Sequence, residues 1–337
     1  MSSTSVITGA TGHIGYALAM ELVARGQRPR LLLRKPSPLF AGMPCDIAFG
    51  DITDPASLPA AFEGADTVYH LAGLIEVNEG NDDMVWRVNI DGTQNVVSAC
   101  KASGVRRLVY CSSVDAMPPA PKGETMRETG HYASAAVSGA YAKSKAIATQ
   151  AALNSAGGGF EAVACLPSAC IGPYDFKCSN IGVMVRLFMR MHFPVTMRFG
   201  GYNFVDVRDA AQGLAACADP ARAPSGESYL LTGEYLDTEA FIAALAELTG
   251  HRAPILPLPR IVAGAAAPAV EQYYKFFDKT PLFTSYSLRK IQENGLFSYE
   301  KAARALAYRP RSARESLEDM IQWIEKNDPE FVKYRGA

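Results

Sequence analysis

The chain has 337 residues, 48% hydrophobic and 20% charged, which is enough for a sizeable core in one large domain or two interlocked ones. Its formal net charge of −1 removes the electrostatic case for a nucleic acid or an anionic membrane as partner and favours a small ligand. The 7 cysteines are scattered, with no Cys-x-x-Cys pair or zinc-type His spacing, so no metal site is expected and reduced, buried thiols in a cytoplasmic protein are.

Met1-Ser2-Ser3-Thr4 leads directly into Val6-Ile7 without a basic or long apolar stretch, so no secretory leader is expected. Strands are predicted at Ser5–Thr8, Arg30–Leu33, Asp46–Phe49, Thr67–Leu71, Arg107–Cys111 and Phe160–Leu166. Helices are predicted between them at His13–Arg25, Ala56–Phe62, Asp83–Ser103 and Ala140–Ser155. Strands alternating with helices mean βαβ units and a parallel sheet. Beyond Pro173 helices dominate, at Asp206–Ala218, Thr238–Thr249, Arg260–Phe276 and Arg314–Lys326, with a brief strand at Ser228–Leu231. The apolar stretch from Ile255 to Val270 is interrupted by Pro257, Pro259, Arg260 and Pro268, so no membrane span is expected. The pattern predicts an α/β fold, a Rossmann-type doubly wound parallel sheet joined to a smaller, mostly helical C-terminal substrate domain. Residues 1–173 and roughly 197–236 are assigned to the first, roughly 174–196 and 237–337 to the second.

Thr8 ends the first strand and runs straight into Gly9-Ala10-Thr11-Gly12-His13-Ile14-Gly15. After a first strand and before a helix, such glycines permit a tight turn and close approach of backbone to a pyrophosphate, which the free N–H groups of the helix start attract. The spacing is G-x-x-G-x-x-G rather than G-x-G-x-x-G. The second strand ends in Leu33-Arg34-Lys35, with no carboxylate before Asp46. A cation there suits the 2′-phosphate of NADP(H), whereas NAD(H) would call for an acid; Arg34 is the expected contact and Lys35 a secondary one.

Tyr141 and Lys145 are four residues apart in a helical stretch, hence on one face. A tyrosine is a poor acid–base group near pH 7, and a neighbouring ammonium is expected to pull its pKa down toward the working range. Lys145 can also bond the nicotinamide ribose. Ser113 follows the apolar strand Leu108-Val109-Tyr110-Cys111, at a carboxyl end where parallel-sheet sites lie, and is the expected partner of a substrate oxygen.

With these residues, the chain resembles the extended short-chain dehydrogenase/reductases over nearly its whole length. The resemblance rests on the glycine loop, Gly50-Asp51-Ile52, His70-Leu71-Ala72-Gly73, Asn89 within Val88–Thr93, Cys111-Ser112-Ser113 and Tyr141 to Lys145. It continues through Leu166-Pro167-Ser168-Ala169-Cys170-Ile171-Gly172-Pro173 and Asn203 to Asp209. It implies a cofactor site formed by Gly9, Thr11, Gly12, His13, Ile14, Gly15, Asp51, Ile52, Leu71, Ala72, Gly73, Asn89, Pro167 and Ser168. Asp51 would meet adenine, and dimerisation through the long helices is implied. The basic Leu33-Arg34-Lys35 and the tail Leu306 to Arg311 look most like the branch with dihydroflavonol reductases and 3β-hydroxysteroid dehydrogenases. Where the family commonly has Arg-Pro-x-x-Val-Tyr-Gly-Pro, this chain keeps Pro167 but loses two customary side chains.

Ketone reduction, or the reverse alcohol oxidation, is therefore expected on an apolar ring-type substrate. Its expected walls are Met184, Leu187, Phe188, Met191, Tyr273, Tyr274, Phe276, Phe277 and Phe283. A nucleotide-sugar epimerase or dehydratase is the alternative, and would recruit Lys177, Asn180, Arg186, Arg190 and Arg198 for a diphosphate.

Overall fold

The computed structural model describes residues 4–75, 82–190, 195–251, 256–265 and 285–328. Twelve strands are described: β1 Thr4–Thr8, β2 Arg30–Leu33, β3 Asp46–Phe49, β4 Ala65–His70, β5 Arg107–Cys111, β6 Glu161–Pro167, β7 Ala169–Ile171, β8 Val195–Met197, β9 Gly201–Asp206, β10 Ser228–Leu231, β11 Glu234–Asp237 and β12 Leu256–Leu258. Seven make one parallel sheet in the order β10-β6-β5-β4-β1-β2-β3; β11-β9-β7 and β12-β8 form two small sheets.

Strand alternation divides this sheet between two cores, because successive side chains leave opposite faces. Val6, Leu32, Val68, Leu108, Tyr110, Ala162 and Ala164 pack into one cluster. Their neighbours Ile7, Leu31, Leu33, Tyr69, Val109, Val163 and Cys165 pack into the other. Both faces are covered by helices, so the strands read as continuous apolar runs. A third cluster gathers Ile171, Val185, Phe188, Phe204, Phe241, Leu245, Leu317 and Ile324.

The helix α1 (His13–Ala24) follows β1 and buries Gly15, Ala17, Leu18, Ala19 and Leu22, whose small members allow close packing on the helix Val207–Ala216. Two expected helices differ. Over Ala56–Phe62 the chain forms a 3-10 turn, Pro55–Ser57, and one α-turn, α2 (Pro59–Phe62), because each proline lacks an N–H and can only begin a helical segment. The long helix near Asp83–Ser103 is α3 (Asp82–Trp86), a π-turn at Arg87–Asp91, and α4 (Gly92–Ala102). At that wide turn the Asn89 carbonyl accepts the Thr93 hydroxyl at 2.6 Å. Of the helix expected at Arg260–Phe276, residues 260–265 are helical and the rest lies outside the described residues. Among the described residues no helix is long and apolar enough to cross a membrane.

Strand order reverses between β1 and β4, and in open parallel sheets that crevice at the carboxyl ends is where ligands bind. Thr8 and His70 stand side by side there.

Candidate active site

Gly9 has φ +75°, and a Cβ on it would stand 2.5 Å from the Ala72 nitrogen; a Cβ on Gly15 would overlap the Gly9 carbonyl. Only glycines let the loop lie this tightly between β1 and the exit of β4. The turn is closed by Gly12 N–H donating to the Gly9 carbonyl at 2.9 Å. His13 Nε2 meets the Pro173 carbonyl at 2.8 Å, and burial lowers the His13 pKa. The ring is therefore neutral and donates through Nε2, tying the segment after β7 to the first turn of α1.

His70 organises the crevice floor. Its Nδ1 lies 2.7 Å from Thr8 Oγ1 and its Nε2 3.1 Å from Thr93 Oγ1. Thr8 Oγ1 already accepts the Ala72 N–H at 3.2 Å, so its proton is free for Nδ1. The Thr93 hydroxyl spends its proton on Asn89, so it accepts from Nε2–H. Burial, with Lys145 nearby, lowers the His70 pKa to about 3. An unfolded histidine titrates near 6.5, so the stability tied to neutral His70 is whole above that pH and drains as pH falls toward 3, by up to about 1.4 kcal/mol per unit. Urea midpoints of the wild type should drop from pH 7.5 to pH 5, and those of His70→Asn should drop less. Equal drops would mean His70 is not the titrating group.

Asn89 extends this network. Its Oδ1 accepts the Leu74 N–H at 2.8 Å, and its Nδ2 donates to the Leu74 carbonyl at 3.0 Å and to Ser144 Oγ at 2.9 Å. Ser144 in turn donates to the Tyr141 carbonyl at 2.7 Å. The Asn89 amide is thus spent on joining the 71–75 segment to α5 (Ala140–Asn154), the helix carrying Tyr141 and Lys145.

Lys145 is 5% exposed, and its Nζ donates to the Cys111 carbonyl at 2.8 Å and to the Tyr110 hydroxyl at 3.2 Å. Burial works against its charge, but Tyr110, Tyr141 and Cys111 outweigh it and its pKa is raised. A Cβ on Gly73 would stand 3.2 Å from Asn89 Oδ1, so the bare backbone there leaves the Asn89 amide room. Tyr141 differs from expectation. Burial, the largest influence, lifts its pKa, seconded by Asp115; Lys145 and the hydrogen bond with Ser113 pull it down without prevailing. The expected net lowering is corrected on this point, because the ammonium bonds Tyr110 and Cys111 rather than the Tyr141 hydroxyl. Ser113 also accepts the Asp115 N–H at 3.1 Å.

Gly9, Gly12, His13, Ile14, Gly15, Leu71, Gly73, Ser113, Tyr141, Lys145, Pro167 and Ser168 all line one cavity of about 520 Å³. Ser168 Oγ, buried there, has no hydrogen-bond partner among the described residues, so a polar group entering beside it would complete its bonding. The glycine cradle, this orphaned hydroxyl and the Lys145 ammonium fit the phosphates, carboxamide and ribose of a nicotinamide dinucleotide. Thr11, Ala72, Asn89, Arg34, Lys35, Asp51 and Ile52 do not line the cavity. Arg34 and Lys35 stand exposed at the end of β2. The Asp51 carboxylate accepts the Thr53 N–H and hydroxyl, each at 2.9 Å, and Ile52 is buried against Gly92.

Of the expected apolar walls, Met184 lines the cavity. Leu187 does not, and Phe188, 1% exposed, belongs to the third core cluster, because α6 (Asn180–Arg190) turns that face inward. Met191, Tyr273, Tyr274, Phe276, Phe277 and Phe283 lie outside the described residues. Sequence reading missed Met117, Met126, Ile181, Leu288, Ile291 and Phe297, which complete the apolar wall. It also missed Lys290, which bridges Asp115 at 2.9 Å and Glu293 at 2.8 Å on the same wall. Nothing in their local pattern distinguishes these residues from core or surface; distant segments bring them together. Among the diphosphate candidates, Asn180 lines the cavity, while Arg186 is buried in ion pairs with Asp175 and Asp328. Arg198 pairs with Glu239 at 3.8 Å, and Arg190 is exposed.

A glycine cradle facing a buried tyrosine–lysine helix, at the switch point of a parallel sheet, defines an NAD(P)-dependent oxidoreductase acting on hydroxyl groups. Residues 5–231 match the model of the NAD dependent epimerase/dehydratase family, and the chain belongs to that family. It is 31% identical over 329 residues to "Sterol demethylase protein B" of Methylococcus capsulatus, covering 95% of this chain and 98% of that protein. To the "3 beta-hydroxysteroid dehydrogenase type 7" of Mus musculus it is 29% identical over 355 residues, covering 95% of each. Among solved structures, that of gox2253 superposes with a TM-score of 0.83 at 30% identity, covering 96% of this chain and 98% of the other.

Proposed function

We propose that the protein is an NADP(H)-dependent ketone reductase, working reversibly as an alcohol dehydrogenase, on an apolar ring-type substrate of steroid or flavonoid kind. The observation carrying this reading is that Ser113, Tyr141 and Lys145 open into the same cavity as the glycine loop, and that methionine, isoleucine, leucine and phenylalanine side chains form much of its remaining wall. A site of this composition desolvates a flat apolar ligand and fixes it by few polar contacts. The sterol-related names of two relatives point the same way.

Bound, the nicotinamide supplies or takes up the hydride. The substrate oxygen sits between the Ser113 and Tyr141 hydroxyls. In reduction Tyr141 gives its proton to that oxygen while Ser113 donates a hydrogen bond to the developing negative charge. The Lys145 ammonium steadies the phenolate left behind. In oxidation the proton returns by the same route.

NADP(H) is preferred in this reading because Arg34 and Lys35 stand at the end of β2, while the Asp51 carboxylate is folded onto Thr53. The test is cofactor consumption with steroid, flavonoid, aldehyde and nucleotide-sugar substrates. Wild type should favour NADPH over NADH, and Arg34→Ala should cut kcat/KM for NADPH by about 10- to 100-fold, the worth of one charge-assisted bond, while barely moving that for NADH. Preference for NADH would overturn the cofactor assignment. Turnover of a nucleotide sugar without net NADPH consumption would replace the reductase reading by epimerisation.

A further inference from the structure

A third cation meets Arg34 and Lys35 from a remote part of the chain. Lys177 lies between β7 and α6, 142 positions beyond Lys35, yet its Nζ donates to Thr11 Oγ1 of the glycine loop at 2.9 Å. Its segment is anchored on both sides. Before it, the Pro173 carbonyl accepts from His13, and the rings of Tyr174 and Phe176 pack on Tyr16 with centroids 5.3 and 5.0 Å away. After it, the buried Asp175 carboxylate accepts the Ser179 N–H at 2.9 and 3.0 Å and is paired with Arg186. Lys177 is held over the loop rather than reaching it by chance of a long side chain.

The electrostatics around it are unbalanced. Burial lowers the Lys177 pKa, and the charges of Arg34 and Lys35 lower it further, so Lys177 stands within the field of both. Among the described residues none of the three is within ion-pair distance of a carboxylate; Asp51, which feels Arg34, is bonded to Thr53. Three cations thus stand around the end of β2 and the glycine loop, and among the described residues none of them is ion-paired with a carboxylate. A phosphate monoester carries close to two negative charges near pH 7, more than Arg34 alone offsets. The pyrophosphate already has the loop N–H groups and the start of α1.

We propose that Lys177 is a specificity-determining residue that contacts the adenosine 2′-phosphate of NADP(H) opposite Arg34, so that the phosphate is gripped from β2 and from the segment after β7 at once. The inference rests on the NADP(H) reading above and adds to it a contact contributed from outside the β1–α1–β2 unit.

Direct binding by fluorescence titration of the full chain with NADP+, NAD+ and 2′,5′-ADP, at fixed pH and salt, tests it. Lys177→Met should weaken NADP+ and 2′,5′-ADP about tenfold, leave NAD+ within twofold, and Lys177→Arg should restore most of the loss. Wild type favouring NADP+ with Lys177→Met unchanged, or with NADP+ and NAD+ weakened alike, overturns the 2′-phosphate contact alone. Wild type with no preference for NADP+ overturns the reading on which it rests. The Tm of Lys177→Met without ligand should match the wild type, since the side chain's one hydrogen bond is exposed.

Discussion

Tyr141→Phe is expected to lower kcat by about 10²–10⁴-fold, the usual worth of a positioned proton donor, while leaving the binding of NADP+ intact. The phenol is 8% exposed and packed along α5, so a phenyl ring fills the same space. Its hydrogen-bond partner Ser113 keeps the Asp115 N–H and is not orphaned. A loss of turnover would therefore report the missing proton and not a collapsed site. The raised pKa gives the pH dependence its direction. At neutral pH Tyr141 holds its proton, the form that carbonyl reduction needs; alcohol oxidation needs the phenolate, which increases with pH. Oxidation by the wild type should climb from pH 7 to 10, and reduction should stay level and then fall. Single-turnover hydride transfer measured in both directions checks this. Turnover of Tyr141→Phe within a few-fold of wild type would remove Tyr141 from the chemistry.

Arg107→Met is expected to cost about 3 kcal/mol of folding stability, a large part of the usual margin of about 5–15 kcal/mol. Arg107 is completely buried at the start of β5. Its Nε donates to the Cys217 carbonyl at 2.8 Å, Nη1 to Glu161 at 2.6 Å, and Nη2 to the Ala223 carbonyl. One guanidinium therefore joins β5, the start of β6 and the chain leaving the helix Val207–Ala216. Methionine matches the volume but strands two buried carbonyls; Glu161 remains paired with Arg106 at 2.8 Å. Urea unfolding at pH 7.5 measures the difference. A cost below about 1 kcal/mol would mean that water or rearranged side chains satisfy those carbonyls.

Tyr141 was open to reading in advance; the buried role of Arg107 was not. The sheet strands were legible because a strand buried on both faces is an apolar run such as Leu108-Val109-Tyr110, and the cofactor loop because glycine spacing is a local constraint. Tyr141 and Lys145 were legible for the same reason: helical spacing alone sets them on one face. What depends on distant segments was not. Phe188 and Met184 share a helix and a similar chemistry, yet one faces the core and the other the cavity. Arg186 looks like a ligand for phosphate until Asp175 and Asp328 are placed beside it. The sign of the Tyr141 shift turned on how deeply α5 is buried, a quantity no spacing encodes. The break at Arg87–Asp91 lacked any proline or glycine at its centre to announce it.

The contact of His13 with Pro173 and the ring column Tyr16–Phe176–Trp323 have a thermodynamic consequence. The residues that begin α1 also hold down the segment after β7, and through it the helix Ala313–Asn327. Loop, segment and C-terminal helix are thus linked by direct contacts into one unit, and opening any one of them gives up contacts with the next. Any ligand bound to the glycine loop spreads its free energy of binding over that whole unit by mass action, so that the far end of the chain is stabilised by an event at its beginning.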